Sequence, residues 1–507
     1  MSGARESLRI NFVLPPSATI SGGPLAILEY AKRFSALGHS VSITTLPDCY
    51  WAGDNPFPWF EFKGPIHYKT LRNVAAKSME AVSPTDLKAL SKAILAAHGP
   101  SGLMEVLMQS APAVADRSPF EFLLRELTTW MHTIESMPDC DLNIATWWST
   151  AFAVYYSRKG RPVYFMQHNE ELFYPLQPDT VLQRLLVRMT YGLPLNKVAN
   201  SSWLQQFMAK VYRQDIPYST NGLALEDFTP AAKTSERDSI IRVVTYASPQ
   251  EWKGFPDACA AMERVLAKHG ARVQWHVFGY RYPALTESNS HAPYVYHPKL
   301  SFAELGRLYA TSDIALCPSW YESFPLPPLE AMASGTAVVT TRLGTEDYAF
   351  NEQNALVVAP RDIEAMSAAV MRLIEDEGLR TRLAAAGRQT AGNFAWDRAV
   401  AEREKILLAI HRGATGYDVA ESARPSLADV ARVEAGASIA GGKAETGLFW
   451  QDDKLYLLQN GVKRHIVNAE VIDDLLDRDI AYLELDDLTI ARSPLGMPVS
   501  SVADIAY

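Results

Sequence analysis

From residue 241 to residue 358 the chain repeats one pattern: a short apolar run that reads as a strand, usually followed by a stretch whose apolar residues recur at helical spacing. The strand candidates are 242–247, 273–278, 314–317, 337–341 and 356–358. Strands that alternate with helices pair in parallel, because each helix carries the chain back along the sheet before the next strand begins. The amino-terminal part repeats the pattern. A strand over 8–14 precedes a loop over 17–23, a helix with Ile27, Tyr30, Ala31 and Phe34 on one face, a stop at Gly38 and a second strand over 41–46. Further strand candidates lie at 142–146, 163–167 and 197–200. The expected fold class is α/β, with two doubly wound domains facing each other across a cleft and ligands at the carboxyl ends of the strands.

A length of 507 residues agrees with more than one core. Residues 47–137 are less regular, with an aromatic-rich stretch over 51–62 and a helical run over 86–97. A last helical run covers 396–411. Beyond His411 the composition turns to Gly, Ala and Ser with scattered charges, which reads as a linker over 412–445. The period then becomes two. Short strands at 448–450, 454–458 and 462–467, with turns at Asp452-Asp453 and Asn460-Gly461, predict a small β-rich module over 446–507.

A net charge of −9 argues against a nucleic-acid partner, which calls for a clustered basic surface. Cys49, Cys140, Cys259 and Cys317 have no metal-ligand spacing and suggest no disulfide framework, so neither a metal site nor a disulfide scaffold is expected and a reducing cytoplasm fits. The first residues lack the long apolar run of a signal peptide, and no stretch of about eighteen apolar residues suits a spanning helix. Peripheral contact with the inner face of a membrane stays open. A nicotinamide-dependent oxidoreductase needs G-x-G-x-x-G after the first strand, and Ser21-Gly-Gly-Pro24 does not supply it.

The densest chemistry lies in residues 318–335, PSWYESFPLPPLEAMASG, where Glu322 and Glu330 stand in E-x7-E spacing across a strand-to-helix junction. A helix starting near Pro325 places Pro325, Pro327 and Pro328 in a first turn whose N–H groups need no intrahelical acceptor. Ser323, Phe324 and Leu326 keep their N–H groups, which with the helix's positive end suit a pyrophosphate. A carboxylate accepts hydrogen bonds from paired hydroxyls, so Glu330 suits a ribose and Glu322 a transferred sugar. The bare spacing by itself fits a capping residue and a solvated glutamate better than a ligand site.

The segment 308–361, with E-x7-E followed by EAMASG, resembles the carboxyl-terminal signature of glycosyltransferase family four. That resemblance implies a GT-B fold of two facing Rossmann-like domains and retaining sugar transfer from a nucleotide-sugar donor to a glycan, lipid-linked or other hydroxyl acceptor. The nucleotide-sugar is then a substrate, and no cofactor or metal is implied. Asn221-Gly222 before Phe228-Thr-Pro230 matches the family's inter-domain turn, giving an acceptor-side domain over 1–229 and a donor domain over 230–411. Lys253 and Gly254 match the family's diphosphate-binding Lys-Gly pair, whose cation offsets charge on the departing diphosphate. Ser248 stands where the family has an arginine; Arg242, Arg272 and Arg342 are the candidate replacements. The family's Gly-Gly loop over the donor corresponds to Gly22 and Gly23. His168, at a strand end, sits where the family has a cleft histidine that contacts the transferred sugar.

Residues 145–150, ATWWST, with 165–175, FMQHNEELFYP, resemble a bacterial branch that includes rhamnosyltransferases of surface polysaccharide synthesis. Glu170 and Glu171 are either acceptor bases or solvated carboxylates. Other GT-B chemistry, an epimerase or a phosphorylase, and a non-catalytic sugar-binding protein are the alternatives. The carboxyl-terminal module resembles small bacterial β modules with a Lys-Arg-His-Ile strand, here 463–466.

Overall fold

A computed structural model describes residues 6–15, 22–45, 56–68, 119–174, 180–230, 240–279, 292–298, 300–413, 447–451, 454–459 and 462–465. The helical run expected over 86–97, most of the glycine loop, the linker, the two hairpin turns and the chain beyond residue 465 lie outside the described residues. The fold divides into two compact units. One runs through Ala199, takes in Phe207–Pro217 and resumes at Arg403; the other comprises Asn200–Gln206 and Tyr218–Glu402.

The first unit holds a six-stranded parallel sheet of β1 (Arg9–Leu14), β2 (Ser40–Thr45), β3 (Ile66–His67), β4 (Leu142–Ala145), β5 (Arg161–Met166) and β6 (Asn196–Ala199), in the order β3-β2-β1-β4-β5-β6. Its helices are α1 (Gly22–Ala36), α2 (Pro119–Ser136), α3 (Trp148–Ser157) and α4 (Val181–Gly192). Helix α5 (Ser202–Tyr212) starts in the second unit and ends in the first. Burial on both faces explains the near-continuous apolar runs of β1 and β4. The exceptions are polar residues with partners. Buried Asn11 donates to Asn143 Oδ1 at 2.8 Å and accepts from the Ser42 and Thr44 hydroxyls at 3.0 and 3.1 Å, which ties β2, β1 and β4 together on one face.

The second unit repeats the plan with β7 (Ile241–Ala247), β8 (Val273–Gly279), β9 (Val295–His297), β10 (Ile314–Cys317), β11 (Ala337–Thr341) and β12 (Leu356–Val358), in the order β12-β11-β10-β7-β8-β9. Its helices are α6 (Phe255–His269), α7 (Phe302–Thr311), α8 (Leu326–Ala333), α9 (Ile363–Glu375) and α10 (Glu377–Ala391). Helix α11 (Trp396–His411) opens in this unit and passes into the first at Arg403. One apolar layer, with Val243, Trp275, Met262 and Val370, packs on one face of the sheet; the other, with Val244, Phe278, Tyr309 and Leu329, packs on the opposite face. Both sheets have the doubly wound 3-2-1-4-5-6 order, and the direction of winding reverses between β1 and β4 in one unit and between β7 and β10 in the other.

The strand pattern read from the sequence recurs with boundary shifts of a residue or two, and β10, β11, β12 and α11 match it end to end. Strands β3 and β9, of two and three residues, carry too little periodicity to be read and are additions. The β-rich module is an antiparallel sheet of β13 (Gly447–Gln451), β14 (Lys454–Gln459) and β15 (Val462–His465). No helix among the described residues is long and apolar enough to cross a membrane.

Candidate functional site

In the second unit the carboxyl ends of β7 and β10 lie side by side at the point where the winding reverses, the usual ligand position in such sheets. After β7 comes a 3-10 turn, Glu251–Lys253, closed by Gly254 with φ of +68°. Glycine is required there twice over. The left-handed backbone disfavours a side chain, and a Cβ would stand 2.1 Å from the Pro318 carbonyl oxygen. The close approach seats the loop after β7 on the loop after β10. As a result Lys253 Nζ donates to Glu322 Oε1, an oxygen that also accepts from the Ser319 hydroxyl at 3.1 Å. On the far side Gly344, with φ of +96°, lets the loop after β11 run against the Glu322 backbone, where a Cβ would lie 2.4 Å from the Glu322 carbonyl oxygen. Lys253, Glu322, Tyr246, Ser319, Thr341 and Leu343 line one hollow together with the prolines that open α8.

Helix α8 begins at Leu326, with Pro325 as its N-cap and Pro327 and Pro328 in its first turn, one residue later than the sequence suggests. Ser323 is buried, and its hydroxyl is committed to the protein: it donates to Asn200 Oδ1 and lies 3.0 Å from the Ser201 hydroxyl. The Phe324 ring packs edge-on against Tyr348 with centroids 5.4 Å apart, so this side chain belongs to the core, and Leu326 packs half-buried on the same layer. Whatever Ser323, Phe324 and Leu326 offer a ligand is therefore backbone.

Glu330 is not among the residues that line the hollow. It is buried on α8, where burial pushes its carboxyl up to about 8 against the opposing pull of the Tyr309 hydroxyl. The thiol of Cys317, which does line the hollow, is raised first by burial and then by Glu330.

Among the arginines considered for the position of Ser248, Arg242 opens β7, with its N–H on Asp313 Oδ2 at 2.9 Å, and Arg272 precedes β8. Both lie at the amino ends of their strands, opposite the hollow. Arg342 follows β11 directly and is flanked by Thr341 and Leu343 of the hollow. Ser248 is buried and bonded to Gln250. The described residues include no group of three or more metal-ligating side chains.

In the first unit, His168 lies just beyond β5. Its Nδ1 donates to the Asn169 carbonyl at 2.9 Å, so in the neutral ring Nε2 is the acceptor, and Phe173 packs against the ring at 4.7 Å. Glu170 and Glu171 are neither solvated nor presented as bases. Glu170 accepts from the Trp148 N–H at 2.7 Å and the Tyr164 hydroxyl at 3.1 Å, and burial raises its pKa to about 8. Glu171 accepts from Arg188 at 2.7 Å and the Tyr212 hydroxyl at 2.6 Å. Both carboxyls are buried, which excludes the solvated reading, and these hydrogen bonds take the place of water. Gly22 and Gly23 open α1. A Cβ on Gly22 would meet nothing within 4 Å, and one on Gly23 would meet only the Gln167 side chain at 3.6 Å, so packing within the protein does not require glycine at either position.

The family description "Glycosyl transferases group 1" matches residues 240–376, inside the second unit and across Lys253, Glu322 and Glu330. Glycogen synthase of Mycobacterium tuberculosis is 31% identical over 173 residues, 32% of this chain and 41% of that one. The O-antigen biosynthesis protein RfbC of Myxococcus xanthus is 25% identical over 297 residues, 56% of this chain and 22% of that one. The chain thus spans less than half the length of either relative. Among solved structures, the Anabaena protein Alr3699/HepE in complex with UDP-glucose superposes with a TM-score of 0.53 at 16% identity, over 80% of this chain and 100% of that one. With its two parallel six-stranded sheets, the chain has the fold of the GT-B glycosyltransferases.

Proposed function

We propose that this chain is a retaining glycosyltransferase that moves a sugar from a nucleotide-sugar donor to a hydroxyl of a glycan or lipid-linked acceptor. The observation that carries the reading is the Lys253–Glu322 pair in the hollow where the winding of the second sheet reverses. A cation there offsets the charge that grows on the departing diphosphate, and the carboxylate beside it accepts hydroxyls of the transferred sugar. The diphosphate oxygen takes the acceptor's proton as the glycosidic bond forms on the face the donor leaves. No nucleophilic carboxylate is assigned, and neither metal nor cofactor is needed.

The family match over residues 240–376 and the likeness to relatives named for glycogen and O-antigen synthesis support this reading, as does a structural neighbour solved with UDP-glucose. Surface polysaccharide or glycoconjugate synthesis at the cytoplasmic side of a membrane is the proposed setting. Gly22, Gly23 and His168 belong to the acceptor-side unit, where the two glycines leave room for a ligand to approach the backbone. A panel of sugar nucleotides screened by thermal shift identifies the donor, since a ligand of the folded state raises its midpoint. With that donor and an acceptor, Lys253→Ala and Glu322→Gln, which change the two charged residues lining the hollow, are expected to lower turnover by roughly a hundredfold or more. Near-normal turnover by both variants refutes the assignment.

A further inference from the structure

Arg361 is exposed in the loop after β12, and its backbone has φ of +65°, the left-handed region that glycine occupies at no steric cost. Its guanidinium carbon lies 4.4 Å from the centroid of the Trp320 ring. That ring is fixed on both sides. The Trp320 indole N–H donates to Asp257 Oδ2 at 2.5 Å, and its backbone N–H donates to the Trp252 carbonyl at 2.7 Å. Asp257 sits in the first turn of α6, Trp252 immediately precedes Lys253, and Ser319, which precedes Trp320, lines the hollow. The seat of Arg361 is therefore built from the same two loops that bring Lys253 and Glu322 together.

Among the described residues no hydrogen bond or close ion pair engages the Arg361 guanidinium; Asp257, already bonded to the Trp320 indole, is the carboxyl that feels its charge. A planar cation with five donors, laid on an aromatic face and held in an unfavourable backbone region, is pre-organised for a phosphate. There is also a deficit to fill. A diphosphate carries at least two negative charges, and Lys253, the cation among the residues that line the hollow, is already paired with Glu322.

We propose that Arg361 is an anion-contacting residue that binds phosphate oxygens of a phosphorylated ligand at the neighbouring hollow. This rests on the donor reading above. Two sources share the chemistry, the donor's diphosphate and a phosphate carried by the acceptor.

The test is calorimetric titration of the full chain in EDTA, with wild type, Arg361→Ala, Arg361→Gly, Arg361→Lys and Lys253→Ala. The probes are pyrophosphate, the uridine, guanosine and adenosine diphosphates, and inorganic phosphate added to protein saturated with the tightest of these. Arg361→Ala and Arg361→Gly are expected to weaken a probe roughly tenfold or more, with lysine intermediate because it keeps charge without the fork. Arg361→Gly should keep a thermal midpoint no lower than the wild type's, which separates lost binding from misfolding. Weakening confined to pyrophosphate and the nucleoside diphosphates assigns Arg361 to the donor, and weakening confined to the added phosphate assigns it to the acceptor. Unchanged affinity of Arg361→Ala for every probe, or a wild type that binds none, overturns the proposal. If Arg361→Ala weakens pyrophosphate while the wild type transfers no sugar, Arg361 stands and the transfer reading falls.

Discussion

Two glutamates that look like surface residues in the sequence are buried, each in its own unit, and both hold their protons into the neutral range. Burial pushes Glu330 and Glu170 up to about 8, where an exposed glutamate titrates near 4.5. Between those pH values the unfolded chain has released protons that the folded chain keeps, so each residue lowers stability as pH rises from 4.5 to 8, and the loss levels off beyond that. Glu330→Gln removes its share. Chemical denaturation should find the variant more stable than wild type at pH 8, with the two converging below pH 4.5; a gap that does not vary with pH would show an ionised Glu330. Of the residues expected at the site, Lys253, named through the family resemblance, and Glu322, at a strand-to-helix junction, line one hollow. The burial of Glu330 was not legible in the sequence, since it depends on Tyr309 and other surroundings supplied by separate elements. Nor was Arg361, whose aromatic seat lies on a different loop.

Loops at the sheet edge meet only where glycines let backbones touch. At Gly254 a methyl group would collide with the Pro318 carbonyl and sit on a left-handed backbone. Gly254→Ala should therefore destabilise the protein by about 2 kcal/mol or more, as measured by denaturant unfolding, and loosen the Lys253–Glu322 contact. Gly22→Ala is the counterpart. Nothing lies within 4 Å of the added methyl, so stability should change by no more than about 0.5 kcal/mol. A loss of transfer activity in that variant, without a loss of stability, would point to close approach of a ligand; full activity would dismiss it. The longer elements were readable because their apolar period repeats several times. Helix α7 opens on a capping box, in which Ser301 accepts from the Glu304 N–H and the Glu304 carboxylate accepts from the Ser301 N–H. Strands β3 and β9 owe their existence to neighbouring strands that offer an edge, which no local signal announces.

Across the whole molecule, α11 is a single helix whose first residues belong to one unit and whose later residues belong to the other. From Arg403 onward it is anchored in the first unit. The buried Arg403 guanidinium lies 3.6 Å from the Phe165 ring centroid and 4.8 Å from that of Tyr30, and buried Glu404 lies 2.9 Å from His39 Nε2. Arg403→Ala removes a desolvated cation–π contact together with its packing, and should cost about 2 kcal/mol or more in a thermal or denaturant measurement. A change below about 0.5 kcal/mol would show that the anchor lies elsewhere. The sequence by itself determined the alternation of strands and helices, the parallel character of both sheets and the position of the glutamate-bearing junction, because periodicity and turn chemistry act over a few neighbouring residues. Only the tertiary structure decided the rest: that the strand order sets β7 beside β10, that Lys253 reaches Glu322 across 69 positions of chain, that Glu330 is buried, and that Arg361 settles on Trp320. Those pairings depend on which loops the strand order brings together, and that order results from the packing of whole layers.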